Sequence, residues 1–202
     1  MNEPFQPQET AFLTYPAGGW RKAMFKWPIQ LWRLGLGPLI GRYLMLITHT
    51  GRKSGQPRRT MVEYHEWQGH KYAPCAFGPR AQWYKNIAAD PRVTIQTAAG
   101  AAPMLARRVT DPAELTGALR HIQQRNPAMT NAYLATLGIQ PDLSDLAARK
   151  ERVYIITFDP TDEPTPPPLP ADLAWLWLVA PLLPLLLLRG RRPGKREEAT
   201  HG

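Results

Sequence analysis

Cysteine is almost missing from this sequence. Cys75 is the only one in 202 residues, which rules out an internal disulfide and leaves no thiolate set for a structural zinc. A single cysteine fits a reducing compartment. No secretory leader is expected, since residues 1–9 are polar and acidic where a signal needs a basic start. There is no internal repeat and no long unbroken basic run. The Lys and Arg surplus, 25 against 16 Asp and Glu for a net charge of +9, is split among 52–59, 107–108 and 189–196. Such a surplus attracts anions of any kind: nucleic acid, anionic lipid or a phosphorylated cofactor. The scattering argues against nucleic acid as the partner.

What is abundant is proline, 22 residues, many of them toward the two ends. Apolar residues make up 44%, enough for one ordinary core. Residues 1–19 read as loose. Residues 20–46 mix Trp20, Phe25, Trp27 and Trp32 with Arg21, Lys22, Lys26 and Arg33. That mixture suits a helix at a membrane interface, and equally one laid over a barrel mouth. Gly35, Gly37 and Pro38 predict an interruption.

Strands are expected at 43–50, 60–67, 71–77, 92–97, 104–109 and 153–158, from alternation or continuous apolar runs bounded by turn residues. A short helix is expected at 82–89, ended by Asp90-Pro91. Another starts at Thr110-Asp111-Pro112, with Thr110 or Asp111 as its cap and Pro112 in the first turn, and runs to about Arg125, and a further piece spans 128–137 and stops at Gly138. The strict βαβ alternation of a dinucleotide fold is missing. The expected class is α+β: a six-stranded antiparallel split β-barrel with flanking helices and a C-terminal hydrophobic tail. By composition the chain divides into a basic amphipathic segment (1–30), the barrel (31–159), a Pro-rich linker (160–172) and the tail (173–202).

The turn Gly51-Arg52-Lys53-Ser54-Gly55, followed by Gln56-Pro57-Arg58-Arg59, carries the clearest chemistry. Glycines let a backbone approach a ligand, exposed N–H groups form an anion nest, and Arg52, Lys53 and Ser54 add charge and a hydroxyl. A solvated basic turn accounts for the same residues. The nucleotide P-loop spacing is not present.

Residues 48–58 (THTGRKSGQPR) resemble the signature of the deazaflavin-dependent nitroreductase family. Residues 78–87 (GPRAQWYKNI), running on to Asp90-Pro91, resemble its second motif at the expected distance. The likeness covers about 31–159. It implies a split β-barrel that uses reduced coenzyme F420, an anionic deazaflavin with a phosphate and a polyglutamate tail; FMN or haem in the same fold is the alternative. It implies that Arg52, Lys53, Ser54 and Gly55, with Gly51, hold the phosphate and that Arg58 and Thr60 lie beside it. Ala76, Phe77 and Gly78 would border the ring, Trp83 and Asn86 would hold the closing helix, and Thr48 and Thr50 would be polar neighbours. The implied activity is hydride transfer to a hydrophobic acceptor, a quinone, nitro compound or lipid-like molecule. A non-catalytic carrier of a flavin, deazaflavin or lipid is the alternative. Tyr64, Tyr84 and Tyr133 are the candidate proton donors, each with a structural role as the plainer reading, and Cys75 reads as buried filler. The sequence departs from some members at Phe77, where they have lysine, and at 126–133, where they have several tyrosines, so the acceptor is open. Split barrels often pair, so a homodimer is allowed.

Residues 173–188 form an apolar run of about 16 residues without charge, just short of the ~17–25 of a spanning helix. Trp175 and Trp177 sit near one end and the basic 189–196 at the other. The expectation is a monotopic anchor through 173–196 on the cytoplasmic face of the plasma membrane.

Overall fold

The computed structural model describes residues 20–180; the N-terminal segment before Trp20 and the tail beyond residue 180, with its basic end, lie outside the described residues. In chain order the elements are α1 (Trp20–Arg33), α2 (Gly37–Ile40), β1 (Leu44–Thr50), β2 (Pro57–Glu63), β3 (His65–Trp67), β4 (His70–Pro74), α3 (Gln82–Ala89), β5 (Arg92–Thr97), β6 (Gly100–Arg108), α4 (Pro112–Arg125), α5 (Pro127–Thr136), α6 (Leu146–Arg149), β7 (Ile155–Pro160) and α7 (Leu176–Val179). Short 3₁₀ turns occupy Gly78–Arg80 and Lys150–Arg152.

All strand pairs are antiparallel, in the order β2-β1-β5-β6-β7-β4-β3. The two edge strands, β2 and β3, are consecutive in the chain and separated only by Tyr64. In a flat seven-stranded sheet those edges stand roughly 29 Å apart at ~4.8 Å per strand. One residue spans at most about 3.6 Å. The sheet is therefore rolled, with its edges brought together at Tyr64 but not joined by ladder hydrogen bonds.

Seven strands replace the six expected. The stretch 60–67 was expected as one strand and is two, because the chain turns a corner at Tyr64 and changes partners. Val62 and Tyr64 pack toward the barrel interior, while Trp67 packs on the helical layer outside. The inside–outside alternation thus passes through the corner unbroken, and a period-2 pattern carries no mark of the change.

Alternate residues fill the barrel: Met45 and Ile47, Val93 and Ile95, Ala106, Ile156 and Phe158, with Ile87 of α3 closing one end. A second cluster lies outside, where Leu115, Leu119 and Ile122 of α4 and Leu134 of α5 cover Tyr72, Val109 and Ile155. Ile155 faces out and Ile156 faces in, so β7 is buried on both faces and its continuous apolar sequence follows. Asp111 caps α4 by accepting from the Glu114 amide at 2.7 Å, with Pro112 in the first turn. Asn126 caps α5, and Gly138 follows it at φ +68°.

The helix α1 runs unbroken across the expected boundary at residue 30 and lies over β2. Its Trp32 is 7% exposed and stacks so close to Gly37 that a Cβ there would come within 2.4 Å of the ring. The chain breaks at Gly35, φ +80°. The stretch 160–172 is not a free linker. Thr94 bonds Thr165 (2.7 Å) and the Pro166 carbonyl, and Gln96 exchanges two bonds with the Leu169 backbone (3.0 and 2.7 Å). An extended Pro-rich segment makes no internal hydrogen bonds. Its free backbone groups suit the outward polar side chains of β5, and the segment becomes a strap along the barrel wall.

Candidate active site

The hairpin 51–55 joins β1 to β2, and α3 packs beside it. Arg52 ties the two. Its backbone N–H donates to Asn86 Oδ1 (3.3 Å), one guanidinium nitrogen donates to the same oxygen (2.9 Å), and another donates to Gln82 Oε1 (3.0 Å). The Asn86 amide nitrogen meets His49 Nδ1 at 3.2 Å. Because Asn86 Oδ1 accepts from Arg52, its NH₂ donates, so His49 Nδ1 is the acceptor and its proton sits on Nε2. His49 is 2% exposed, and burial is the main reason its pKa falls from 6.5 to about 4; the Arg58 charge across the ladder pushes the same way. His49 is neutral at physiological pH.

The backbone of this turn faces inward. Gly51 N–H donates to Gln56 O (2.9 Å), while the Ser54 and Gly55 amides both donate to Gly51 O (3.0 and 2.8 Å). Most of the donors of the expected anion nest are therefore already used, because a turn this tight closes on its own carbonyl. The side chains of Arg52, Lys53, Ser54 and Arg58 are all exposed, and of these Arg52 is already committed to Asn86 and Gln82. Ser54 Oγ accepts from the Arg58 guanidinium at 3.5 Å and from the Gln56 amide at 3.4 Å, so its proton is free to donate. A Cβ at Gly51 would sit 2.8 Å from Ser54 Oγ and 3.2 Å from Gln56 O, so a side chain there would crowd the turn and displace the Ser54 hydroxyl.

Arg58 and Thr60 share the inward face of β2 with Val62 and sit opposite His49 and Ile47. Thr50 lines a cleft of about 240 Å³ between the hairpin (with Gly55 and Pro57), the Asp90–Arg92 pair and the strap. Hydrogen bonding to Arg92 holds the Asp90 carboxyl below the usual range. Thr48 is placed elsewhere: it is fully buried on the outward face beside Thr94, with no partner for its hydroxyl.

On the other side of α3, residues 76–80 turn back toward the barrel. Gly78 takes φ +48° and presses on Tyr154, whose ring a Cβ would meet at 3.1 Å. Phe77, Trp83, Tyr84 and Tyr154 pack at the lip of the barrel interior, and Ala76 is exposed. Tyr84 meets Tyr154 edge-on at 5.1 Å, and the Arg108 guanidinium stands 4.1 Å over the Tyr154 ring. Burial, opposed by Arg108, raises the Tyr84 pKa. Tyr133 is buried and accepts from the Tyr154 amide (3.3 Å), and Tyr64 donates to Gly41 O (2.9 Å) at the opposite end of β1. Cys75 is buried, its thiol pushed up to about 12 by burial. Among the described residues no His, Cys, Asp and Glu side chains group to hold a metal.

A rolled antiparallel sheet with flanking helices, and a cationic hairpin locked to a short helix at its rim, defines a split-barrel fold. Residues 35–136, just over half the chain, match the F420H(2)-dependent quinone reductase family, and the chain belongs to that family. It is accordingly an oxidoreductase that depends on coenzyme F420. No curated protein matches the sequence. Among solved structures it is similar to an F420-H2 dependent reductase, FDR-A, at 20% identity (58% of this chain, 95% of that one, TM-score 0.45). It is also similar to a domain-swapped dimer at 17% (70% and 100%, 0.44) and to the haem storage protein HutZ of Vibrio cholerae at 12% (69% and 92%, 0.43).

Sequence reasoning missed Gln82 and His49 as parts of this lock. His49 follows from strand parity, since it shares the inward face of β1 with Ile47 and Met45. Gln82 has no sequence signal beyond its place one helical turn before Asn86.

Proposed function

We propose that F420 binds with its phosphate on the side chains of Lys53, Ser54 and Arg58, and that its ring lies toward the 76–78 turn, where a hydrophobic acceptor such as a quinone, nitro compound or lipid-like molecule meets it. The observation that carries this reading is the Arg52–Asn86–Gln82 lock. It spends Arg52 on holding hairpin to helix and leaves Lys53, Arg58 and the Ser54 hydroxyl exposed at the barrel rim to meet a ligand. That donor set fits a phosphate, which takes charge-assisted hydrogen bonds from flexible and planar cations alike.

Bound there, the reduced deazaflavin supplies a hydride. The protein's own part is to hold the ligand, keep water from the lip through Phe77, Trp83 and Tyr154, and deliver a proton. Reduction of a quinone to a hydroquinone takes one hydride and one proton. Tyr84 Oη is the donor this geometry favours. Tyr64 gives its proton to Gly41 O and Tyr133 is fully enclosed, whereas Tyr84 is half-buried beside Arg108, a cation suited to steadying the phenolate until water returns the proton. The apolar run from residue 173 and its basic end make the molecule a membrane-associated enzyme at the cytoplasmic face, where lipophilic acceptors reside. Among the described residues no helix is long and apolar enough to cross a membrane.

Fluorescence titration with F420, FMN and NADPH side by side tests the cofactor site. Lys53→Ala and Arg58→Ala are each expected to weaken F420 binding about tenfold, equal to ~1.4 kcal/mol. Unchanged affinity in the double variant removes the proposal. Binding of F420 without turnover of any acceptor favours the carrier alternative.

A further inference from the structure

Eight large apolar side chains are exposed among the described residues: Trp27, Leu39, Tyr43, Met129, Trp175, Trp177, Leu178 and Val179. All but Met129 fall in two segments far apart in sequence, 27–43 and 175–179. These segments are bonded to each other. Arg33 makes a two-pronged ion pair with Asp172 (2.8 and 2.7 Å), the Leu173 amide donates to Arg33 O (2.9 Å), and the Trp177 indole donates to Leu34 O (2.7 Å). Gly35 lies against Ala174 so closely that a Cβ there would be 3.2 Å from its methyl. The root of the tail is thus built into the end of α1.

We infer that these joined segments form one lipid-docking face, and that the occupant is a bilayer surface carrying anionic headgroups. The inference rests on the reading of the tail as lipid-seeking, and it adds that the folded body presents its own half of the contact. Single exposed apolar residues are ordinary on a protein surface, but a concentration of large ones with three tryptophans and a tyrosine marks an interaction site. Trp and Tyr are the side chains that settle at the headgroup level of a membrane.

Two further observations choose lipid over a protein partner. The chain leaves this face at residue 180 into 181–188 (PLLPLLLL), eight apolar residues without a charge, and then into Arg189, Arg191, Arg192, Lys195 and Arg196. The sequence of α1 adds Arg21, Lys22 and Lys26, and Arg42 is exposed beside Tyr43. Apolar insertion framed by cations is the chemistry of anionic interfaces. Moreover, Leu39 and Tyr43 precede the Leu44 end of β1, whereas the cationic hairpin follows its Thr50 end. The strap runs the same length, from Thr165 beside Thr94 to Asp172 on Arg33. Lys53 and Arg58 are therefore kept at the other end of the barrel, clear of headgroups that would compete with an anionic cofactor.

The test is flotation of the full-length protein with phosphatidylcholine vesicles, with and without phosphatidylglycerol, read together with quenching of tryptophan fluorescence by brominated lipid. The comparison is a Trp27→Ser, Leu39→Ser, Tyr43→Ser triple variant, in which every changed side chain is already in solvent. The parent is expected to float with the anionic vesicles. The triple variant is expected to partition at least tenfold less, with the same circular dichroism spectrum and the same F420 affinity. A parent that binds while the triple variant binds equally well overturns the face and leaves the tail as sole anchor. A parent that does not bind at all overturns both. Concentration-dependent self-association without vesicle binding, abolished in the triple variant, assigns the face to a second copy of the chain and overturns the lipid occupant.

Discussion

Asn86→Ala tests whether the two sequence motifs work as one unit. Truncation removes the acceptor of the Arg52 backbone N–H and of one guanidinium nitrogen, and the donor to His49. The exposed guanidinium keeps Gln82 and rehydrates, so its loss costs little, about 0.5 kcal/mol. The Arg52 amide is part-buried and its loss costs roughly 1 kcal/mol. His49 is 2% exposed, and its Nδ1 lone pair is left without a partner in a dry site, for roughly 1–2 kcal/mol. Neighbouring losses are not strictly additive, and a destabilisation of about 3 kcal/mol is expected in urea unfolding, with an unchanged denaturant slope. Affinity for F420 falls as well, since the hairpin loses its anchor. Asn86→Asp separates the two partners. A carboxylate still accepts both Arg52 bonds but cannot donate to His49, and its charge favours the imidazolium. The His49 pKa therefore climbs from about 4 back toward 6.5, which NMR of the ring protons reads directly. An Asn86→Ala cost under about 1 kcal/mol, or an Asn86→Asp protein whose His49 still titrates near 4, refutes the lock.

Three other outcomes are expected. The His49 pKa is depressed on folding, so the unfolded chain takes up the extra proton first. The associated stability is complete above pH 6.5 and is lost as pH falls toward about 4, on the order of 3 kcal/mol, as urea midpoints across that window will report, and His49→Gln is expected to flatten the slope. Gly78→Ala must hold an L side chain at φ +48° against the Tyr154 ring, and thermal unfolding is expected to show a loss of about 1–2 kcal/mol. Gln96→Ala removes both bonds to Leu169, and limited proteolysis is expected to cut 160–172 faster while the barrel core stays resistant.

Much of the fold was legible because its signals are local. The helix 82–89, its stop at Asp90 and the stop at Gly138 depend on residues within one turn of themselves, and each stands where the sequence put it; of the two caps the sequence offered for α4, Thr110 and Asp111, the structure uses Asp111. The barrel interior followed from alternation. What was not legible depends on contacts between distant residues. Tyr64 marks a change of partner that leaves parity intact. The strap was read as a linker because proline content predicts extended backbone but says nothing of what the extended backbone meets; Thr94 and Gln96 decide that, some 70 residues away. The same limit applies to the contact between α1 and the root of the tail, which Arg33 and Asp172 make from 139 residues apart.

The cationic turn shows the limit at the site itself. Its composition raises the expectation of an anion-binding hairpin, but composition does not say whether backbone or side chains would do the binding. A nest of amides is rigid and reads shape, with little dependence on ionic strength. Cations on side chains are softer, and their attraction falls as salt screens it. Here the Ser54 and Gly55 amides close on Gly51 O, and Arg52 is committed to Asn86 and Gln82. On the proposed binding mode, selectivity for a cofactor with several negative charges comes from Lys53 and Arg58, and rigidity comes from the hydrogen-bonded chain His49–Asn86–Arg52. These are separable properties. A change at Lys53 should alter the salt dependence of binding and leave stability alone, whereas a change at Asn86 should lower stability and leave the salt slope as it was.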